Sequence, residues 1–200
     1  KQKRCSVCGK IVLTCENVCF GCREGSILKS TDLVYPLFPY RLWNKELMFM
    51  WKSLGVRSIS DIFADFVFRG LRCLDVDIVV PVPPRAGKIK TNGWDQIDEL
   101  CQILKFKYGF SIFPVLKRDS VIQQKKLDRE GRIESIGKAY SLVEDKDFFK
   151  ILKHFHDTLP LKVCLIDDVC TTGATLECCA QILKKIGINK VFVITIFNVK

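Results

Sequence analysis

The sequence has 200 residues, 48% of them hydrophobic, which is enough apolar material for the core of one ordinary domain and excludes an intrinsically disordered chain. Its apolar runs, such as VFVITIFNV, are far shorter than the roughly 20 residues of a membrane-spanning helix. The formal net charge of +10 favours a phosphate-bearing ligand or a nucleic acid as partner, although a basic protein can also lack a polyanionic partner. The N-terminus KQKRCSVCGK lacks the apolar segment of a signal peptide, so we expect a cytoplasmic protein with reduced thiols.

The N-terminal segment holds five of the eleven cysteines. Four of them form two CxxC pairs separated by ten residues, namely Cys5 with Cys8 and Cys19 with Cys22. Two such turns bring four thiolates together in the tetrahedral arrangement of a structural zinc site, with no position left open for catalysis. Cys15 is an alternative ligand. We therefore predict a zinc-ribbon or knuckle module in residues 1–30.

The middle of the chain alternates strand and helix patterns. Residues 26–40 are apolar and contain prolines, which predicts a linker packed on the domain surface. SISDIFADFVFRGL has apolar residues at helical spacing, with Gly70 as the predicted end of the helix. A buried strand is predicted for the β-branched run DVDIVVPVPP. An amphipathic helix that ends before Gly109 is predicted within NGWDQIDELCQILKFKYG. A second short apolar run, FSIFPVL, follows this helix. Together they predict a βαβ unit whose basic connection lies at the carboxyl edge of the sheet, where ligands bind in open α/β folds.

Residues 117–138 have a different composition. They contain seven basic and four acidic residues with little apolar periodicity. One interpretation is a solvated surface loop or hairpin. The other is a lid that places cationic side chains over an anionic substrate.

Two adjacent carboxylates mark the last βαβ unit. A strand is predicted for residues 161–166, with Asp167 and Asp168 at its end. A helix is predicted for TLECCAQILKKIG and a further strand for KVFVITIF. The turn TTGAT therefore lies at a helix N-terminus, where free backbone N–H groups and the helix dipole favour an anion. A ribose 5-phosphate suits this combination, since its phosphate would bind the turn and its hydroxyls would donate to the two aspartates.

VCLIDDVCTTGAT resembles the 13-residue signature with which type I phosphoribosyltransferases bind phosphoribosyl pyrophosphate (PRPP). The whole chain resembles the ComF family, which joins a four-cysteine zinc module to a VPVPP segment, a Gly-aromatic-Asn-Gln segment, a flexible loop with Gln and Arg, and this signature. The corresponding segments here are VPVPP, NGWDQ, QKKLDREGR and 167–175. The resemblance implies an α/β fold of the type I phosphoribosyltransferase kind, with a mostly parallel sheet flanked by helices in residues 31–200 and a flexible loop at about 117–138.

The resemblance also implies roles for individual residues. Asp167 and Asp168 would hold the ribose hydroxyls as catalytic residues, and Mg²⁺ would bridge the diphosphate and the ribose. The remaining PRPP contacts would come from Thr171, Thr172, Gly173, Ala174, Thr175, Pro84, Arg85, Lys88, Arg129 and Arg132.

The chain departs from the ComF pattern at three positions. Asn92 stands where the family usually has Arg, Asp95 where it has Asn, and Ser135 where it usually has Asn. The first change removes a cation near the diphosphate loop, which leaves PRPP binding better supported than catalysis.

The family resemblance implies a role in DNA uptake during natural transformation, alongside other competence proteins. Two functions remain open: a phosphoribosyltransferase with an acceptor that no residue identifies, and a non-catalytic protein that senses PRPP or binds single-stranded DNA.

Overall fold

The computed structural model describes residues 3–12, 16–84, 93–118, 139–143, 146 and 162–199. The helices in these ranges are α1 (Phe20–Gly25), α2 (Trp43–Lys52), α3 (Ser58–Leu74), α4 (Gln96–Tyr108) and α5 (Ala174–Lys185). The strands are β1 (Leu33–Pro39), β2 (Ile78–Pro81), β3 (Leu116–Arg118), β4 (Tyr140–Leu142), β5 (Lys162–Cys170) and β6 (Lys190–Asn198).

The central sheet has the strand order β1-β6-β5-β2, and each neighbouring pair is parallel. The residues after α4 run parallel to β2, because the N–H of Val79 donates to Ser111 O at 2.9 Å and the N–H of Phe113 donates to Val79 O at 2.9 Å. This arrangement confirms the predicted mostly parallel α/β fold and the βαβ unit around α4.

Helices cover the sheet on both faces. On one face the core contains α5 together with the cysteine-containing N-terminal segment, and on the other it contains α2, α3 and α4. Successive β5 residues serve the two faces in turn, with Leu165 in the first core and Ile166 in the second. Burial on both faces explains why β5 and β6 read as nearly continuous apolar runs rather than as alternating patterns.

The predicted linker in residues 26–40 contains a strand instead. β1 forms one edge of the sheet and pairs with β6, with Pro36 opposite Thr195 and Pro39 opposite Asn198. Proline cannot donate a backbone hydrogen bond, but an edge strand tolerates it because an edge strand pairs with another strand on one side only. The proline content, which suggested a linker, is therefore compatible with an edge strand.

Helix α3 does not end at Gly70 as predicted. It continues to Leu74 and ends at Asp75, which adopts the left-handed conformation with φ 50°. Gly70 is buried inside the helix, where an added Cβ would lie 3.0 Å from Ile194 Cδ1. Its small size permits close packing of α3 on β6, which is a tertiary role that the helical pattern alone does not reveal.

The basic segment 117–138 begins in a strand. Lys117 and Arg118 belong to β3, which pairs antiparallel with β4, whereas residues 119–138 lie outside the described part of the chain. Within the described ranges, none of the helices combines the length and the apolar character that crossing a membrane requires.

Candidate functional site

The four cysteines of the two CxxC pairs converge near the N-terminus. The sulfur atoms of Cys5, Cys8, Cys19 and Cys22 all lie within 4.8 Å of one another, and Cys8 Sγ is 3.7 Å from Cys19 Sγ. Zn–S bonds of about 2.3 Å place neighbouring sulfurs about 3.8 Å apart in a tetrahedron. The cluster therefore has the spacing and ligand chemistry to hold a metal ion such as zinc. Cys15, the alternative ligand, lies outside the described residues.

Local backbone geometry supports this cluster. The N–H of Cys19 donates to Cys5 Sγ at 3.3 Å. Burial alone would raise the pKa of the Cys5 thiol, but backbone hydrogen bonds from Cys8 and Cys19 outweigh it and lower the pKa to about 6. Gly9 turns the chain with φ +69°, and a Cβ there would lie 2.1 Å from Val34 O, so glycine is required after the first pair.

The two adjacent aspartates lie within β5 rather than after it. The strand extends through Cys170, because its pairing with β6 continues from Asp167 opposite Thr195 to Cys170 opposite Asn198. The pair is still near the carboxyl end of the strand, at the sheet edge that the sequence predicts for ligand binding.

Asp168 is 9% exposed and is bound by two side chains from remote parts of the chain. Gln96, at the start of α4, donates from Nε2 to Asp168 Oδ2 at 2.6 Å, and Lys52, at the end of α2, forms an ion pair with the same oxygen. The charge of one aspartate is thereby balanced inside the protein. Lys52 was not predicted as a site residue, since no motif surrounds it and only the fold brings it to Asp168.

Asp167 has a different environment. Its Oδ1 accepts the N–H of Asp168 at 2.8 Å. Burial raises the pKa of Asp167 well above its usual value of 3.8, and the neighbouring Asp168 carboxylate raises it further. The repulsion between the two neighbouring acids is therefore reduced in two ways. Asp168 forms an ion pair with Lys52, and the raised pKa of Asp167 favours its neutral form.

The predicted phosphate turn leads directly from β5 into α5. Thr171 and Thr172 are exposed, Gly173 is the N-cap with φ +91°, and the N–H of Ala174 donates to Thr172 Oγ1 at 3.3 Å. The first N–H groups of a helix have no intrahelical acceptor, so this end of α5 offers donors to an anion. Thr175 lies in the first turn of α5.

The segment after the cysteine cluster packs against this turn. Leu28 is buried beside Gly173, where an added Cβ would lie 3.0 Å from Leu28 Cδ2. In the two residues after Leu28, the N–H of Lys29 donates to the carboxylate of Glu177 at 2.8 Å and the hydroxyl of Ser30 donates to it at 2.7 Å. Glu177 is 5% exposed and was not predicted, because an acid on a helix next to two cysteines has no distinctive sequence pattern.

Other predicted residues fall partly outside the described ranges. Pro84 follows β2 at the same sheet edge, where the N–H of Val82 donates to Ile166 O at 2.9 Å. Asp95, a departure from the ComF pattern, caps α4 by accepting the N–H groups of Ile97 and Asp98 at 2.9 and 3.1 Å. The predicted contacts and departures that lie outside the described residues are Arg85, Lys88, Asn92, Arg129, Arg132 and Ser135.

Fold and site together define an α/β protein with a mostly parallel sheet, an acidic pair and a glycine-containing turn at its carboxyl edge, and a four-cysteine cluster beside it. No family model matches the chain. Competence protein ComFC of Streptococcus pneumoniae (strain ATCC BAA-255 / R6) is 24% identical over 192 residues, which cover 95% of this chain and 78% of that protein. This similarity over nearly the whole length supports the assignment of the chain to the ComF family.

Proposed function

We propose that the protein binds PRPP together with Mg²⁺ at the carboxyl edge of its sheet and acts in competence, the uptake of DNA during natural transformation. The relative's name, competence protein ComFC, supports the competence-related role. The observation that carries the binding proposal is the position of Asp167 and Asp168 in the strand that leads, through a short turn, into a helix N-terminus whose cap residue, Gly173, has φ +91°.

Each part of PRPP has a matching group in this proposal. The ribose hydroxyls donate to Asp167 and Asp168, which are acceptors when ionised. The 5-phosphate binds the turn 171–175, where backbone N–H groups and threonine hydroxyls are donors. The diphosphate lies toward the turn at Pro84, and the basic residues predicted to contact it are Arg85, Lys88, Arg129 and Arg132.

The same arrangement suits transfer of the phosphoribosyl group. Carboxylates near the ribose favour positive charge on the ring as the bond to the diphosphate breaks, and a fixed phosphate orients the sugar for attack. Carboxylate and phosphate oxygens are the ligands that Mg²⁺ prefers, and when bound it would neutralise charge on the diphosphate. Release of pyrophosphate with a panel of nucleobases and amines tests this activity, and a panel without any release favours the non-catalytic role.

Calorimetric titration with PRPP and Mg²⁺ tests the binding site. Asp168→Asn removes a charged acceptor, and a lost charge-assisted hydrogen bond of roughly 1.5–3 kcal/mol weakens binding about tenfold or more. Asp61→Asn, an exposed acid on α3, is the matched control because it changes the net charge equally. Unchanged affinity in Asp168→Asn, or equal weakening in the control, contradicts the site.

Binding of single-stranded DNA is the second candidate function, and a basic cavity supports it. This cavity of about 550 Å³ lies between the N-terminal segment and the carboxyl ends of β1 and β6. Arg4, Lys10 and Arg41 line it together with apolar residues that include Ile11 and Phe38. Cations that meet phosphates and apolar surfaces that meet bases are the combination used by proteins that bind single strands.

The two candidate functions use different surfaces and can be separated. Replacing Lys10 and Arg41 with alanine should weaken binding of a single-stranded oligonucleotide and lower its salt dependence by about one unit of slope per lost phosphate contact. The same pair of changes should leave PRPP affinity unchanged, and Asp168→Asn should leave oligonucleotide affinity unchanged. Parallel losses in both assays contradict separate surfaces.

A further inference from the structure

The ion pair at Asp168 extends the proposed function to an additional residue. Lys52 and Gln96 both donate to Oδ2 of Asp168, but they differ in their surroundings. Gln96 is 2% exposed and belongs to the capped first turn of α4, whereas the side chain of Lys52 is 41% exposed at the last position of α2. Of the two donors, Lys52 is the one that can leave Asp168 without disturbing the core.

The structure keeps the backbone of Lys52 in place while its side chain remains accessible. The preceding residue, Trp51, is fully buried, packs edge-on against Phe63 with ring centroids 4.8 Å apart, and donates from Nε1 to Ser60 Oγ at 2.8 Å. A lysine ammonium is a compact charge on a flexible stem with three donors, so it can reach a new acceptor while its Cα stays fixed.

The turn after Lys52 lies beside the segment that opens α4. An added Cβ at Gly55 would lie 3.6 Å from the indole nitrogen of Trp94, and the guanidinium of Arg57 is 5.9 Å from the centre of the same ring. Lys52 therefore lies where β5 meets the start of α4, beside the Asp168 carboxylate of the proposed PRPP site.

Moving Lys52 away from Asp168 leaves a buried carboxylate without its cation, next to a second acid. Sugar hydroxyls can replace the lost donor, and a diphosphate offers the ammonium a stronger acceptor than a single carboxylate. A ligand that carries sugar hydroxyls and a diphosphate therefore provides new partners for both Asp168 and Lys52. A ligand with hydroxyls and one distant phosphate compensates only the carboxylate.

We propose that Lys52 is a ligand-binding residue that pairs with Asp168 in the free protein and donates to the diphosphate of PRPP when the ribose hydroxyls replace it on Asp168. This inference rests on the proposed PRPP site. It assigns to α2 a direct contact with the ligand, and it makes Lys52 a residue that distinguishes PRPP from ribose 5-phosphate.

The test is calorimetric titration of the full chain with PRPP and, separately, with ribose 5-phosphate, both with Mg²⁺. Lys52→Met should weaken PRPP binding about tenfold or more, since one charge-assisted hydrogen bond is lost, and should change ribose 5-phosphate affinity by less than about threefold. Lys52→Arg should restore part of the PRPP affinity. Lys45→Met, on the exposed side of the same helix, is the matched control because it removes the same charge and should leave both affinities unchanged.

If the native protein binds PRPP, two results with the variants would overturn the inference about Lys52. If Lys52→Met binds PRPP as tightly as the native protein or more tightly, Lys52 is only an internal counter-ion. If both ligands weaken equally, Lys52 acts by holding Asp168 and does not contact the diphosphate. If Lys52→Met unfolds, Lys52→Gln applies the same criteria, since it keeps a donor for Asp168 and removes the charge. Absence of PRPP binding by the native protein is a separate result that overturns the proposed function and this inference with it.

Discussion

The cysteine cluster and the carboxylate site are assembled over different distances along the chain. Cys5, Cys8, Cys19 and Cys22 come from one short segment, and their sulfur atoms meet within 4.8 Å. Asp168, in contrast, is bound by Lys52 and Gln96, which are 116 and 72 positions away. Residue spacing was therefore enough to predict the first site, whereas the second depends on how the sheet and helices are arranged.

The cysteine cluster should show the greater sensitivity to a single change. Cys8→Ser, or removal of the metal by a chelator, should release the ion and unfold the N-terminal segment, because a structural zinc contributes on the order of 10 kcal/mol to a site of this kind. Metal content of the purified protein and thermal unfolding with and without chelator measure the effect. Cys73→Ser, an exposed thiol on α3, is the control and should change neither.

Protein that carries no metal when purified without chelator, or a Cys8→Ser variant with native metal content, contradicts the four-thiol assignment. Either result would also contradict the comparison between the two regions, because it would mean that cysteine spacing alone does not identify a metal site.

The phosphate turn gives the next effect. Gly173→Ala introduces a side chain at φ +91° and 3.0 Å from Leu28 Cδ2, which should cost about 1–3 kcal/mol of stability and weaken PRPP binding. Gly21→Ala is the control, because a Cβ there meets no atom within 4 Å and the residue lies in helix α1. Urea unfolding should show the first variant destabilised and the second unchanged or slightly stabilised. Equal stability of the two variants contradicts the strained turn.

Glu177 connects the two regions and tests whether they are independent. Glu177→Gln replaces a buried carboxylate that accepts hydrogen bonds from Lys29, Ser30 and Gln181, and should cost about 1–3 kcal/mol. If the segment 28–30 positions the phosphate turn, PRPP affinity should fall as well. Glu24→Gln, an exposed acid in α1, should change stability by less than about 0.5 kcal/mol. Loss of stability with native PRPP affinity would show that the connection does not reach the site.

The pH dependence at Asp167 should be the smallest effect. The pKa of Asp167 in the folded protein is raised above the ordinary 3.8, chiefly by burial and then by the Asp168 carboxylate. At pH values between 3.8 and this raised pKa, the folded state therefore binds more protons than the unfolded state. Stability from this group is therefore greatest at low pH and declines as the pH rises through the folded pKa.

Asp167→Asn removes this decline and should raise the Tm at neutral pH, by about 2–4 °C for each kcal/mol gained in a domain of this size. Melting curves from pH 4 to pH 8 measure the difference between the two proteins. Native and variant curves that stay parallel over this range would show that Asp167 ionises as freely in the folded state as in the unfolded chain.

The sequence predicted those features that local patterns determine. The end of α4 at Gly109 follows from a left-handed glycine, and the strand β6 from a long β-branched run. The prediction that α3 ends at Gly70 is wrong, because the small size of this residue serves packing against Ile194, a residue far away in the chain. Lys52 and Glu177 could not be predicted, since each gains its partners only when distant segments meet.

The position of β6 has a consequence for how the chain reaches its native state. β6 is the last of the described strands to be synthesised, yet it lies between β1 and β5 and pairs with both. During translation β1 leaves the ribosome early, and β6, the described strand that pairs with it, follows last. The sheet therefore closes late through contacts that are remote in sequence, which slows folding. The nascent chain thus exposes an unpaired apolar strand for most of its synthesis, and the prolines of β1 reduce the risk that another chain pairs with it.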